Sequence, residues 1–230
     1  MGIHDGHRKN LRQSFLVTGF AGKTEHQALE LLLTYSIPRI DVNPIAHELI
    51  DKFGSLAGVI DAEPTELIKI NHVTENTVVL LKMIPALSEM YADCKWSGRP
   101  VMNTSQKVKE FLKPKFMGCC NERLYMLCLD SHLQLNELAL LAEGTPDQTT
   151  VNIRDAIAHV LHSGAKQVIF AHNHPSGITD PSMQDIIMTH NACNAFAPMG
   201  VNVIDHMIFA GNEVFSLRAN GFMKDLPEDE

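Results

Sequence analysis

The chain has 230 residues, of which 45% are hydrophobic and 20% are charged, as in an ordinary globular protein of one or two domains. Its formal net charge of −8 does not favour general, charge-driven binding to nucleic acid. No apolar run is long enough to span a bilayer, and residues 1–12 lack the apolar segment of a secretory signal. The 5 cysteines have no regular spacing and include no Cys-x-x-Cys pair, which argues against a disulfide scaffold. We therefore expect a cytoplasmic protein without membrane association.

Residues 1–95 are predicted to form a compact all-α domain. Apolar residues at helical spacing precede a break at Ile37-Pro38, and Pro44 and Pro64 each lie where a new helix begins. A longer helix is predicted over residues 74–91, and Pro85 inside it is expected to kink or split it. Nothing in this part of the sequence has the pattern of a strand.

Residues 96–104 are the predicted linker, residues 105–225 the second domain, and residues 226–230 an acidic tail. Within the second domain, the predicted strands cover residues 124–129, 133–141, 166–171, 201–204, 207–210 and 213–217, and the predicted helices include 153–162 and 182–196. The dipeptide Asp205-His206 is expected to form the turn between two of these strands. The pattern predicts an α/β domain with three layers, α/β/α.

Two histidines follow the predicted strand that ends near residue 171. Alternate residues of a strand point to the same side, so His172 and His174 are expected to face one way at its carboxyl end. Open α/β sheets bind ligands at that end. Asp185 is expected on the first turn of the next helix. Two imidazoles and one carboxylate suit zinc, and three protein ligands leave a fourth position for water, as in catalytic zinc sites.

Each part of this pattern also has a simpler interpretation. A His-x-His pair is compatible with two surface or capped histidines that bind no metal. Ser182 and Asp185 have the spacing of a helix capping box, with Asp in place of the usual Glu or Gln. A capping role of Ser182 is compatible with a further role of the same residue in the site.

The complete spacing from His172 to Asp185 is similar to the JAMM (MPN+) metalloprotease signature. It consists of His-x-His, then seven residues, Ser, two residues and Asp. The words HNHPSG and DPS, followed by Asp185, resemble RadC-like proteins in particular. The resemblance implies a JAB domain with a deaminase-like α/β/α fold. It also implies Zn²⁺ bound by His172, His174 and Asp185, and a hydrogen bond from Ser182 to the oxyanion of the reaction.

JAMM enzymes take their general base from a glutamate in an earlier segment, and Glu122, Glu137 and Glu143 are the candidates. In RadC-like sequences a glutamate opens the first strand of this domain, eight residues before its terminal aspartate. Here that residue is Glu122, and we choose it as the catalytic base. The pair Asp205-His206 resembles the Asp-His pair of the family, so His206 is either a neighbour of the metal ligands or a core histidine.

The first domain also resembles RadC-like proteins, through the segments GHRKNLRQSF, ALELLLTYSIPRIDVNPIAHELIDKFGSL and ELIKI. The resemblance implies a helix-hairpin-helix fold, in which the hairpin reads Gly-hydrophobic-Gly. The corresponding residues here look like Asn71-His72-Val73, which replaces the glycines that let backbone N–H groups approach a phosphate. The basic opening of residues 7–12 could supply a few phosphate contacts. We expect weak DNA binding or none.

The resulting prediction is a zinc-dependent hydrolase of JAMM type that cleaves peptide or isopeptide bonds in a protein or peptide substrate. The alternative is a DNA-associated repair or recombination protein, in which the JAB domain is a nuclease or a structural module. A nucleobase deaminase is less favoured, because the His-x-Glu and Pro-Cys-x-x-Cys signature is absent from the sequence.

Overall fold

A computed structural model describes residues 5–96, 98–144 and 152–223. The chain divides into two compact units, Met1–Ser88 and Glu89–Glu230. The predicted acidic tail, residues 226–230, lies outside the described residues, and so does part of the predicted linker, residue 97. The sequence-based boundaries at residues 95 and 105 stay predictions. None of the helices in the described ranges is long and apolar enough to cross a membrane.

The first unit is built from helices. They are α1 (Asp5–Thr18), α2 (Glu25–Ser36), α3 (Asn43–Phe53), α4 (Leu56–Asp61), α5 (Pro64–Leu67) and α6 (Glu75–Lys95), which continues into the second unit. The apolar faces of α2 to α6 share one buried cluster, which contains the fully buried Leu29, Leu33, Leu49, Leu67 and Leu81. Pro85 lies inside α6 but does not split it.

The basic opening of the chain is largely occupied by contacts within the first unit. Arg8 is buried, and its guanidinium donates hydrogen bonds of 2.6–3.1 Å to three carbonyls at and beyond the end of α2, those of Thr34, Ile37 and Ile40. His7 Nε2 lies 2.7 Å from Glu30 Oε1, and the Arg12 guanidinium lies 5.8 Å from the ring centre of Tyr35. Arg8 thus satisfies carbonyl groups at the carboxyl end of α2, as basic residues commonly do at that end of a helix.

The turn between α5 and α6 differs by one position from the predicted hairpin. His72, with φ of 66°, takes the left-handed conformation that glycine favours. Val73 is buried in the core of the first unit. Its side chain therefore does not cover the backbone of the turn, and the predicted assignment of Asn71 and Val73 to the glycine positions was wrong. Burial of Val73 in the apolar core fixes the turn so that His72, and not Asn71, takes the left-handed conformation.

We expect the first unit to bind duplex and single-stranded DNA weakly or not at all. Arg8 and His7 are engaged internally, and the formal charge of −8 gives no general attraction. The dissociation constant at physiological salt should be no tighter than about 10⁻⁵ M, as for non-specific contacts. Affinity measured across a salt series, for residues 1–95 and for the whole chain, tests this. Tight binding that falls steeply as salt rises would contradict it.

The second unit is a mixed α/β domain. Its elements are α7 (Ser105–Phe116), β1 (Glu122–Leu129), β2 (Leu135–Gly144), α8 (Ile153–Ser163), β3 (Gln167–Asn173), α9 (Met183–Phe196), β4 (Asn202–Ala210) and β5 (Glu213–Ser216). The five strands form one sheet in the order β2-β1-β3-β4-β5. The pair β3 and β4 is parallel, because α9 connects them as a crossover, and the other pairs are antiparallel.

Helices pack on both faces of this sheet. Alternate residues of β1 enter two different clusters: Leu124 and Met126 pack with α8 and α9, while Tyr125 and Leu127 pack with α7. This is the two-residue periodicity of a strand buried on both faces. His172 lies in β3 on the face of Phe170, which is the face covered by α8 and α9. The carboxyl end of β3 therefore faces the amino-terminal end of α9.

The prediction of two strands joined at Asp205-His206 was wrong, because both residues lie inside the single strand β4. Their polar groups are satisfied within the fold: the Asp205 carboxylate accepts hydrogen bonds from Ser216 Oγ at 2.6 Å and from the backbone N–H of Arg218 at 3.1 Å. In the pairing of β3 with β4, Val168 lies opposite Val203 and the next residue, Ile169, lies opposite Asp205, so that Ile204 is skipped. This bulge shifts the alternation of β4, so that His206 points toward α9.

Candidate metal centre

Two imidazoles meet at the carboxyl end of β3. His172 is 4% exposed within the strand, and His174 follows it, with its backbone N–H donating to the carbonyl of Phe209 at 2.8 Å. The side chains lie on the same side, as strand periodicity predicts, with 2.8 Å between their Nε2 atoms. The central position of β3 in the sheet fixes His172, and the hydrogen bond to the carbonyl of Phe209 fixes the backbone of His174.

The carboxylate of Asp185 comes from the first turn of α9. Ser182 precedes this helix as its N-cap, and its Oγ accepts a hydrogen bond from the backbone N–H of Asp185 at 3.2 Å. In return, Asp185 Oδ2 accepts from the backbone N–H of Ser182 at 2.8 Å and from its Oγ at 2.7 Å. The capping box is therefore formed, and it orients the carboxylate toward the two histidines.

The three predicted ligands converge. Asp185 Oδ1 lies 3.2 Å from His172 Nε2, and Asp185 Oδ2 lies 3.6 Å from His174 Nε2. One ligand atom from each residue lies within 4.8 Å of the others, the only such group of three or more His, Cys, Asp or Glu residues found in the described ranges. Two nitrogens and one carboxylate oxygen are the donor set of catalytic zinc sites.

The hydrogen bonds of the ring nitrogens decide whether this cluster suits a cation. His174 Nδ1 lies 2.7 Å from the carbonyl oxygen of Ile178, and a carbonyl only accepts, so Nδ1 carries the proton. The Nε2 atom of neutral His174 therefore keeps its lone pair. That lone pair faces Asp185 and His172.

His172 is held in the same tautomer by a chain of three hydrogen bonds. Thr189 Oγ1 donates to the carbonyl of Asp185 at 2.6 Å, so it accepts from His206 Nδ1, also at 2.6 Å. His206 Nε2 is then an acceptor, and His172 Nδ1 donates to it across 2.8 Å. The Nε2 atom of His172 therefore also keeps its lone pair. Three acceptors, the Nε2 atoms of His172 and His174 and the carboxylate of Asp185, thus point at one another. Such an arrangement fits a cation between them.

The electrostatics of the protein groups agree with this assignment. Burial holds the pKa of His206 well below its ordinary value, which keeps its ring neutral as the chain of hydrogen bonds requires. A hydrogen bond to Asp185 is possible only when Nε2 of His174 also carries a proton, and this bond raises the pKa of His174. Burial raises the pKa of Asp185, but hydrogen bonds from the protonated rings of His172 and His174 outweigh it and bring that pKa below its usual range. The site therefore stabilises a positive charge, which a proton or a metal ion can supply.

Removing the hydroxyl that fixes His206 should weaken metal binding. Thr189→Val keeps the volume but leaves His206 Nδ1 without its acceptor, so the tautomer of His172 is no longer enforced. We expect zinc affinity to fall by about 10-fold to 100-fold, as for other groups that orient a metal-ligating histidine. Competition with a chromophoric chelator measures this. Thr189→Ser, which retains the hydroxyl, is the control, and equal affinities in the two variants would contradict the expectation.

The three candidate glutamates have different surroundings. Glu122 opens β1 and lines a cavity of about 850 Å³ together with the three clustered residues and Ser182. Burial raises the pKa of Glu122, whereas the nearby His172 and His174 lower it.

The other two candidates are absent from the wall of that cavity. Glu137 Oε1 pairs with His159 Nδ1 at 2.7 Å, and Glu143 pairs with Arg123 Nε at 2.8 Å. Glu143 is exposed to solvent, and Glu137 is half-buried. The choice of Glu122 as the base, like the role of Ser182, stays a prediction.

Sequence reasoning missed Thr189 and left the place of His206 open. Thr189 follows Asp185 by one helical turn, but a threonine at that spacing carries no signal of its own. The bulge in β4 that turns His206 toward α9 also has no local signature. The Asp-His pair was the one available clue, and it pointed to the correct residue.

Comparison with known proteins identifies the family. A family model described as the RadC-like JAB domain matches residues 102–222. A UPF0758 protein of Fusobacterium nucleatum is 34% identical over 227 residues, which cover 96% of this chain and 98% of that protein. UPF0758 proteins of Rhodobacter capsulatus and Ruegeria pomeroyi are each 32% identical, over 93% and 94% of this chain and 100% and 97% of their own lengths. The chain therefore belongs to the RadC-like JAB domain family.

Proposed function

We propose that the chain is a zinc-dependent hydrolase of JAMM type that cleaves a peptide or isopeptide bond with water. The observation that carries this proposal is the convergence of three acceptor atoms, from His172, His174 and Asp185, in a cavity that also contains Glu122 and Ser182. JAB domains are generally metallohydrolase domains, and the helices on both faces of the sheet are what a deaminase-like α/β/α fold of that class requires.

The residues present fit a zinc ion. His172 and His174 would hold it through Nε2, and Asp185 through a carboxylate oxygen. Bound there, zinc supplies a Lewis acid that polarises a carbonyl and lowers the pKa of water. Three protein ligands would leave a fourth position for water, whereas a closed structural site has four protein ligands.

Glu122 is the proposed general base. Its carboxylate lines the cavity beside the three clustered residues, and burial raises its pKa toward the range in which a carboxylate both takes and returns protons. It accepts a proton from the attacking water. When the C–N bond breaks, the same carboxyl group delivers that proton to the leaving nitrogen.

Ser182 is the proposed donor to the oxyanion. In the structure its Oγ donates to Asp185 Oδ2 at 2.7 Å, so its proton is engaged at the carboxylate. A contact with the oxyanion requires this hydroxyl to turn into the cavity. The backbone N–H of Ser182 keeps its own bond to Asp185 Oδ2, so this rotation leaves the carboxylate oriented.

The shape of the cavity supports a polypeptide substrate. Beyond the clustered residues, the wall includes Leu124 and Ile153, and Ile187 and Met188 of α9. A volume of about 850 Å³ exceeds what a water molecule and one amide group occupy. Apolar walls beside a polar centre suit the side chains that flank a scissile amide. The first unit, with its helix-hairpin-helix-like turn, is proposed to position a partner or substrate.

The test is incubation of the purified protein with a peptide library and with DNA substrates, each with zinc and with a chelator. The proposal requires cleavage of peptide or isopeptide bonds that zinc restores after chelation. Zinc-dependent cleavage of DNA instead would make the chain a nuclease and favour a role in DNA repair or recombination.

A further inference from the structure

We infer that Asn173 positions Glu122 over the metal centre. This inference rests on the proposed role of Glu122. Asn173 lies between the two clustered histidines and is 5% exposed. Its Oδ1 accepts from the backbone N–H of Arg123 at 2.8 Å, and its Nδ2 donates to the carbonyl of Asn121 at 3.0 Å. These two backbone groups flank Glu122 on either side.

The side-chain amide of Asn173 continues the hydrogen bonding between β1 and β3 beyond the point where their backbone pairing ends. Antiparallel pairing between β1 and β3 reaches Leu124 opposite His172 and goes no further. Beyond this point Asn173 presents one acceptor and one donor to β1, as a backbone peptide group of a paired strand does. Glu122 is thus held on the β3 side by a side chain and on the other side by β2, through its pairing with Gly144.

The connection has a geometric consequence for catalysis. A base must lie within hydrogen-bond distance of the proton it takes, and a displacement of about 1 Å costs roughly 100-fold in rate. Because Asn173 is covalently linked to His172 and His174, any small movement of the histidines carries the backbone around Glu122 with it. Asn173 thus adds to the pairing of Leu124 with His172 a second connection between the base and the metal ligands.

The side chain must be asparagine for both contacts to exist. Aspartate retains the acceptor for the Arg123 N–H but loses the donor, and alanine loses both. A purely structural role predicts that these substitutions lower stability without a specific effect on kcat. A positioning role predicts that the substitutions lower kcat, and that this loss disappears once Glu122 no longer acts as a base.

The experiment is a double-mutant cycle on the zinc-loaded full chain with Asn173→Ala and Glu122→Gln. Asn173→Ala should lower kcat by about 100-fold with little change in KM, as expected for a misplaced base. In the Glu122→Gln background the same substitution should change kcat by less than about 3-fold, because its target is already removed. Multiplicative losses in the cycle would overturn the inference.

A second readout does not depend on activity. Hydrogen exchange at the Arg123 amide should accelerate in Asn173→Ala, while the amides of β1 that pair with β3 stay protected. Asn173→Asp, which retains the acceptor, should leave the Arg123 amide protected and is the matched control. If the alanine variant does not fold, Asn173→Leu replaces it, because leucine has a similar volume and neither the donor nor the acceptor. Unchanged exchange in Asn173→Ala would overturn the inference.

The control is Asn136→Ala. Asn136 Nδ2 also donates to a backbone carbonyl, that of Ser163 at 2.9 Å, but it lies in β2 and outside the cavity wall. This variant should lose no more than about 2-fold in kcat. If the wild-type protein hydrolyses nothing, the proposed function fails, while exchange at the Arg123 amide still decides the inference: acceleration supports it and no change overturns it.

Discussion

Zinc content should fall from about one ion per chain to nearly none in the variant His172→Ala plus His174→Ala. The two Nε2 atoms supply two of the three converging acceptors, and Asp185 alone offers a single carboxylate on a helix turn. One exposed or half-buried carboxylate does not retain zinc through dialysis, because affinity depends on the full set of ligands. Elemental analysis of dialysed protein measures the ratio.

The matched control for this prediction is His159→Ala. His159 lies in the same unit, but it pairs with Glu137 away from the cluster, so the variant should retain zinc like the wild type. Loss of zinc should lower stability only modestly, since the second unit has two apolar clusters of its own. Stoichiometric zinc that survives the double histidine substitution would refute the assignment of the ligands.

Hydrolysis should fall by about 100-fold to 10,000-fold in Glu122→Gln, the usual contribution of a general base. Glutamine has nearly the same shape but takes no proton at neutral pH. Zinc should remain bound, because the converging cluster consists of His172, His174 and Asp185 without Glu122. Single-turnover kinetics on a cleaved peptide, together with elemental analysis, measure both quantities in one preparation.

The variants Glu137→Gln and Glu143→Gln are the controls. Glu137 is paired with His159, and Glu143 with Arg123. Neither glutamate is among the residues that line the cavity, so both variants should retain activity. Full activity in Glu122→Gln with a loss in either control would mean that the base was assigned to the wrong strand position. If no substrate is hydrolysed by the wild type, the domain is better described as a binding module.

Local spacing by itself determined much of the candidate site. Strand periodicity is sufficient to put His172 and His174 on one side, and the capping spacing of Ser182 and Asp185 is sufficient to begin a helix there. Both are contacts between residues close in sequence, so short-range geometry dictates them. The same holds for the helical character of the first unit, which follows from periodic apolar residues and the prolines that begin its helices.

The tertiary structure alone decided which distant groups complete the site. Thr189, His206 and Asn173 contribute through contacts with other elements, and no spacing in the sequence encodes those pairings. Asp205 and His206, in the interior of β4, were predicted to form a turn between two strands. Burial there depends on the partners of Asp205, which come from residues 216 and 218. A polar group enters a core when its hydrogen bonds are satisfied, and only the folded chain supplies those partners.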